Sequence, residues 1–192
     1  PMSPIRNAVE IIRSIGIGDD PRIRWAMDVL DRQTAHMGRL LDDLLDVSRI
    51  VRDRIDLDLR EVELRDVVRQ AVDGVRAAML ERRHHFVYTL PAASVRVEGD
   101  PVRLSQILLN ILVNAVRYTP EQGEIRVESE VSAGQAVVRV RDNGQGMSAA
   151  QIASMFGAFS PGRMPPEASP GGLGLGLAIA RRLAELHGGT LE

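Results

Sequence analysis

Four glycines fall within six positions at Gly171-Gly172-Leu173-Gly174-Leu175-Gly176, and an apolar helix pattern, Leu177-Ala178-Ile179-Ala180, begins at once. Glycine lets a backbone approach a ligand closely and take left-handed angles. The start of a helix offers unpaired N–H groups and the positive end of a dipole to an anion. The run therefore reads as a phosphate cradle, with a tight turn under a closely packed helix as the plain alternative.

A second cluster is Asp142-Asn143-Gly144-Gln145-Gly146-Met147, which ends the apolar run Ala136 to Val140. That run reads as a strand. Asn143-Gly144 is a strong hairpin signal, but no strand follows it. Ser148 with Gln151 has instead the spacing of a capping box that opens a helix at Ala149. The Asp142 carboxylate thus stands at a strand end beside a glycine loop, where an exposed and preorganised acceptor belongs.

The third feature is a helix from Pro101 to Tyr118, with Asp100 at its N-cap and Pro101 at its first position. Leu104, Ile107, Leu108, Ile111, Leu112 and Ala115 form its apolar stripe. Asn110 and Asn114 are four apart and share one face, and Arg117 and Tyr118 extend that polar edge. Two amides with a cation one turn on suit a hard metal ion and a phosphate, and a solvated face is the alternative. The fourth feature, Met155-Phe156-Gly157-Ala158-Phe159, precedes a Pro-, Gly- and Ser-rich stretch from Ser160 to Pro170. It reads either as the hinge of a mobile lid or as an aromatic anchor under a loop.

Asn110-x3-Asn114-Ala115-x-Arg117-Tyr118-Thr119-Pro120, then Asp142-x-Gly144-x-Gly146, then Phe156-x2-Phe159, then Gly172-x-Gly174-x-Gly176, stand in that order. Together they resemble the Asn box, first glycine box, Phe box and second glycine box of the ATP-binding domain of sensor histidine kinases. The resemblance implies ATP and Mg2+ as cofactors. It implies that Asp142 receives the adenine amino group and that Asn114, with Asn110 beside it, holds magnesium. Arg117 and Tyr118 would border the phosphates and base. The backbone of Gly172, Leu173, Gly174, Leu175 and Gly176, running into Leu177, would wrap the triphosphate, with Phe156 and Phe159 in the lid. Arg117 stands where the family often has Lys, and Gly157-Ala158 where it more often has an acidic residue and Pro. The implied activity is transfer of the γ-phosphoryl to a histidine and on to the receiver domain of a response regulator. Related ATP-hydrolysing proteins carry a Glu where this chain has Asn110. An amide cannot take a proton from water, so transfer is expected over hydrolysis. A nucleotide-binding scaffold that transfers nothing, and a serine kinase or ATPase of the same superfamily, are the alternatives.

The N-terminal third carries two helical patterns, Pro4 to Ile15 and about Arg22 to Arg52, broken at Gly16 to Pro21. Ala26, Leu30, Gln33, Met37, Leu40, Leu44, Val47 and Val51 alternate steps of four and three, which is a heptad seam. Such a hairpin buries its seam by pairing with a second copy into a four-helix bundle. A homodimer through residues 22–52 is therefore expected, with packing of that helix on the following domain as the alternative. Pro1-Met2-Ser3-Pro4-Ile5-Arg6-Asn7 lines up with the family's His-Glu-x-x-Asn/Thr-Pro motif from its proline onward. That expectation puts the acceptor His ahead of Pro1, so that the chain alone binds ATP without labelling itself. His36, His84, His85 and His187 read as structural or solvated, His187 as a partly positive ring favouring a helix C-terminus.

The 192 residues suit a helical module (1–54) followed by one ATP-binding domain (55–192). The expected fold is α/β, a two-layer α+β sandwich in which one mixed sheet backs three helices. Expected strands are Asp56 to Arg60, Phe86 to Leu90, Val95 to Val97, and a hairpin of Gly123 to Val131 with Gln135 to Asp142. Expected helices besides the Asn helix are Glu63 to Arg82 and Leu175 to Leu186. There is no cysteine, which excludes thiol catalysis, and all 24 basic residues are Arg, which excludes lysine chemistry. The net charge of −2 gives no general pull towards nucleic acid. No apolar run reaches the length that spans a bilayer, and a cytoplasmic location is expected of this stretch.

Overall fold

The computed structural model describes residues 55–91, 93–148, 150–152 and 176–192, together with helical positions 22, 23, 25–27, 29, 30, 33, 34, 37, 38 and 41. The chain divides into two compact units, Pro1–Arg52 and Asp53–Glu192.

In the first unit the described positions are helical. Met27 and Thr34, seven apart, are buried, whereas Ala26, Leu30, Gln33 and Met37 of the heptad pattern are exposed. Trp25, 68% exposed, and Leu41 widen that outward apolar stripe. The helix Pro4 to Ile15 and the seam positions Leu40, Leu44, Val47 and Val51 lie outside the described residues.

In the second unit the order is β1 (Arg60–Glu63), α1 (Leu64–Glu81), β2 (His85–Thr89), β3 (Arg96–Gly99), α2 (Pro101–Tyr118), β4 (Glu124–Ser132), β5 (Gln135–Asp142) and α3 (Gly176–Leu186). The strands form two hydrogen-bonded parts. β1 pairs antiparallel with β3, Val62 opposite Val97. β4 lies between β2, to which it is parallel, and β5, to which it is antiparallel. The larger part is thus mixed, as expected. The first strand forms four residues later than the sequence suggests, because the register with Arg96–Gly99 selects Arg60–Glu63 over the equally alternating Asp56 to Arg60.

One core joins the layers. α1 buries Leu64, Val67, Val68, Ala71, Val72, Val75 and Met79, a stripe at helical spacing. α2 adds Leu108, Leu112, Ala115 and Val116, and β4 adds Ile125 and Val127. α3 packs on α2, and its Ala178, Ile179, Ala180 and Leu183 are nearly free of solvent.

Asp100 caps α2 as expected, its Oδ1 accepting from the N–H groups of Val102 (2.9 Å) and Arg103 (3.2 Å). Its Oδ2 accepts from the Asp58 N–H at 3.2 Å. Burial raises the Asp100 carboxyl, but the N–H groups of Arg103, Asp58 and Val102 outweigh burial and hold it below its ordinary value. The stability this group contributes is therefore present above the ordinary carboxylate range and is lost as pH falls through its lowered value.

Candidate functional site

The site is built around α2, which meets the other expected motifs at two places. Midway along it, Asn110 Nδ2 donates to the carbonyl of Gly176, the first residue of α3, at 2.9 Å. One turn on, Asn114 Nδ2 donates to the Asn110 carbonyl at 3.1 Å. At its C-terminal end, the Tyr118 carbonyl is so close to Gly144 that a Cβ there would stand 2.7 Å from the oxygen. Only glycine fits, so the first glycine box is seated against the end of the Asn helix. The structure therefore brings Asn110 to the start of α3, with Asn114 bonded back to Asn110 one turn on, and Tyr118 to the Asp142 loop.

The two amide bonds fix which way the Asn side chains are turned. Each Nδ2 is committed to a carbonyl, which leaves each Oδ1 as an acceptor on the half-buried face of α2. That is the donor chemistry a hard divalent cation takes when phosphates and waters complete its shell. Among the described residues no group of three or more His, Cys, Asp or Glu could hold a metal. Arg117 lies with its guanidinium carbon 5.3 Å from the centroid of the Tyr118 ring, a cation–π contact that positions both at the helix end.

Asp142 closes β5 opposite Ile125. Alternation along the strand puts it on the same face as Val138 and Val140, the face that packs on the core. Past the core its carboxylate is exposed, and Oδ1 accepts from the Gly144 N–H at 2.8 Å. Oδ2 takes no hydrogen bond among the described residues. Gly146, in the left-handed region at φ 67°, turns the chain onward. The capping box then forms in both directions: Ser148 N–H to Gln151 Oε1 at 2.8 Å, and Gln151 N–H to Ser148 Oγ at 3.3 Å. Gly176 and Leu177 open α3 as expected. Phe156, Phe159, Gly172, Leu173, Gly174 and Leu175 lie outside the described residues.

Several supporting residues carried no readable signal. Asn143 ties the loop to β4, its Oδ1 accepting from the Glu124 N–H at 2.8 Å and its own N–H donating to the Glu124 carbonyl at 3.2 Å. Arg82, at the end of α1, donates to the Thr119 carbonyl at 3.0 Å, and His84 Nε2 donates to the Pro120 carbonyl at 3.1 Å. These bonds hold the turn that follows the Asn helix. All join residues far apart in sequence, which is why no local pattern announces them.

His187 is engaged at both ring nitrogens. Its Nδ1 donates to the Leu183 carbonyl at 2.7 Å, and its Nε2 accepts from the Asp100 N–H at 3.1 Å. The structural reading of His187 is thus specified: the ring links the end of α3 to the start of α2.

Residues 99–192 match the family model of histidine kinase-, DNA gyrase B- and HSP90-like ATPases. The chain is 34% identical over 160 residues to the adaptive-response sensory kinase SasA of Thermosynechococcus vestitus, covering 83% of this chain and 42% of that protein. It is similar to the catalytic domain of histidine kinase ThkA at a TM-score of 0.56 and 26% identity, over 67% of this chain and 80% of that one. Its fold is also similar to ThkA as solved in complex with the response regulator protein TrrA, with a TM-score of 0.63 and 21% identity, over 97% of this chain and 53% of that one. The chain spans well under half the length of the curated relatives it matches. With the Asn helix, the Asp142 loop and the start of α3 assembled as described, these likenesses identify the chain as a member of the histidine kinase-, DNA gyrase B- and HSP90-like ATPase family, and within it as a sensor histidine kinase catalytic core.

Proposed function

We propose that this chain binds Mg-ATP at the α2 face and presents its γ-phosphoryl to a histidine, from which it passes to an aspartate of a response regulator receiver domain. The observation that carries the reading is the pair of oriented amides. Asn110 and Asn114, four apart on α2, each commit Nδ2 to a carbonyl and leave Oδ1 as an acceptor, Asn110 against the helix that follows the glycine loop, while the Asp142 loop meets the C-terminal end of α2. Magnesium, held by Asn114 with Asn110 beside it, would supply charge neutralisation on the phosphates. The Asp142 carboxylate accepts the adenine amino N–H and Arg117 faces phosphate charge; the family resemblance assigns the triphosphate to the run Gly172 to Gly176, of which 172–175 lie outside the described residues. The attacking imidazole nitrogen forms its bond to Pγ as the bond from Pγ to the bridging oxygen breaks, and ADP leaves. Such a transfer depends on placement and charge more than on covalent help from the protein. Asn110 supports transfer over hydrolysis, since its amide accepts no proton and its nitrogen is committed to Gly176.

The test is equilibrium binding of Mg-ATP followed by labelling with γ-labelled ATP. The expected result is binding without label on the chain alone, and acid-labile label once a helix bearing a His-Glu pair is joined about five residues ahead of Pro1. Binding with no label in either form would favour the scaffold reading.

We also infer a homodimer through residues 22–52. The outward stripe of Ala26, Leu30, Met37 and Leu41 supports it, because an apolar seam of that length is left uncovered. Light scattering at tens of micromolar should give a dimer, and Leu40→Arg with Leu44→Arg should give a monomer by placing charge in the seam. A wild-type monomer at that concentration would refute it.

A further inference from the structure

α3 is pinned to α2 at both of its ends. At the N-terminal end Asn110 Nδ2 holds the Gly176 carbonyl at 2.9 Å, and at the C-terminal end His187 Nε2 takes the Asp100 N–H at 3.1 Å. The two helices therefore run antiparallel with matched spans. Asp100 to Asn110 covers about 15 Å and Gly176 to His187 about 16 Å at the helical rise of about 1.5 Å per residue. Between the pins the two helices pack together, and Ala178, Ile179, Ala180 and Leu183 of α3 are nearly free of solvent.

The His187 pin is built in detail. Gly188, at φ 73°, ends the helix; its N–H donates to the Glu185 carbonyl and that of Gly189 to the Ala184 carbonyl, both at 2.9 Å. This double closure fixes the position from which the ring projects. Gly99 makes room for it, since a Cβ there would stand 3.1 Å from His187 Cδ2. The Nδ1 bond to Leu183 sets the tautomer, so Nε2 is a bare acceptor aimed at Asp100. From α2 the charged groups nearby are Asp100, whose oxygens are taken by Val102, Arg103 and Asp58, and Arg103, which donates to Gln106. From the segment before β1 comes the exposed Asp58, and from the end of β3 the exposed Glu98. On α3 itself Glu185 is paired with Arg181 and Arg182.

We propose that His187 is a positioning residue for the nucleotide site. Its ring sets the axial register of α3 on α2 and so the place of Gly176, about 16 Å away by the helical rise. The proposal rests on the nucleotide reading above for its ligand, but not for its mechanism.

The experiment uses the chain of 192 residues with His187→Gln, whose carbonyl keeps an acceptor, and His187→Phe, which keeps the ring volume and loses both bonds. Mg-ATP affinity is measured, and the backbone amide resonance of Gly176 is followed without nucleotide. H187Q should bind as wild type, and H187F about fivefold to tenfold more weakly, the scale of one lost hydrogen bond. The Gly176 resonance should shift in H187F and hold still in H187Q. Wild-type affinity in a folded H187F, or a loss in H187Q equal to that in H187F, overturns the proposal. If no form binds nucleotide the functional reading fails, and Gly176 still decides the contact: a resonance indifferent to both substitutions overturns it.

Discussion

Asp142→Asn should weaken Mg-ATP binding by about 10- to 100-fold while leaving the melting temperature within a degree or two. The argument lies in what each oxygen of Asp142 does. Oδ1 is occupied by the Gly144 N–H at 2.8 Å, so one oxygen remains for a ligand donor. An asparagine that keeps the Gly144 bond through its own oxygen turns an NH2 group towards the ligand. An adenine amino group would then meet a donor where it needs an acceptor. Leaving one buried donor unpaired costs about 1–3 kcal/mol, which at about 1.4 kcal/mol per decade is the loss stated. The fold should not register the change, because the side chain is exposed and its loop bond survives. The same logic predicts that wild type discriminates against GTP, whose six-position oxygen faces the carboxylate as acceptor against acceptor. Calorimetry on both proteins with both nucleotides is decisive, and equal ATP affinity for wild type and D142N removes Asp142 from base recognition.

The second large effect concerns transfer. In the form that carries an acceptor His-Glu pair ahead of Pro1, Asn114→Ala should lower acid-labile labelling by on the order of 10²-fold, the scale of a misplaced reacting group. Asn114→Asp should fail similarly: it loses the donor that now holds the Asn110 carbonyl at 3.1 Å and sets a negative charge beside the phosphates. ATP binding measured without magnesium should change little in N114A, since base recognition belongs to Asp142 and not to the amide pair. Labelling of N114A at the wild-type rate would remove Asn114 from the metal site.

The sequence disclosed what is local and hid what is not. The start of α2 was legible because an N-cap Asp followed by Pro is a short-range signal, and the Ser148–Gln151 box for the same reason. The stripe of α1 was legible because its spacing is that of the helix. β1 was misplaced because Ile55-Asp56-Leu57-Asp58-Leu59 and Arg60-Glu61-Val62-Glu63 alternate alike, and only the pairing of Val62 with Val97 decides between them. The side chains of the site were legible as types, since Asn at a four-residue interval and Asp before a glycine loop are local patterns. Their orientation was not. It depends on Asn110 reaching Gly176 across 66 residues and on Tyr118 abutting Gly144. The partner of His187 was hidden for the same reason, as Asp100 lies 87 residues away.

The face of α2 that we propose holds the metal is built from neutral side chains, and its acceptors are amides. A site without standing charge has little hold on a free divalent ion, whose shell of water it cannot displace for gain. The cation would then arrive already escorted by the polyphosphate and depart with the diphosphate product. Occupancy of the metal face would follow the cell's nucleotide ratio instead of its magnesium level, and each turnover would clear the site for the next charge of fuel without a separate step of metal release.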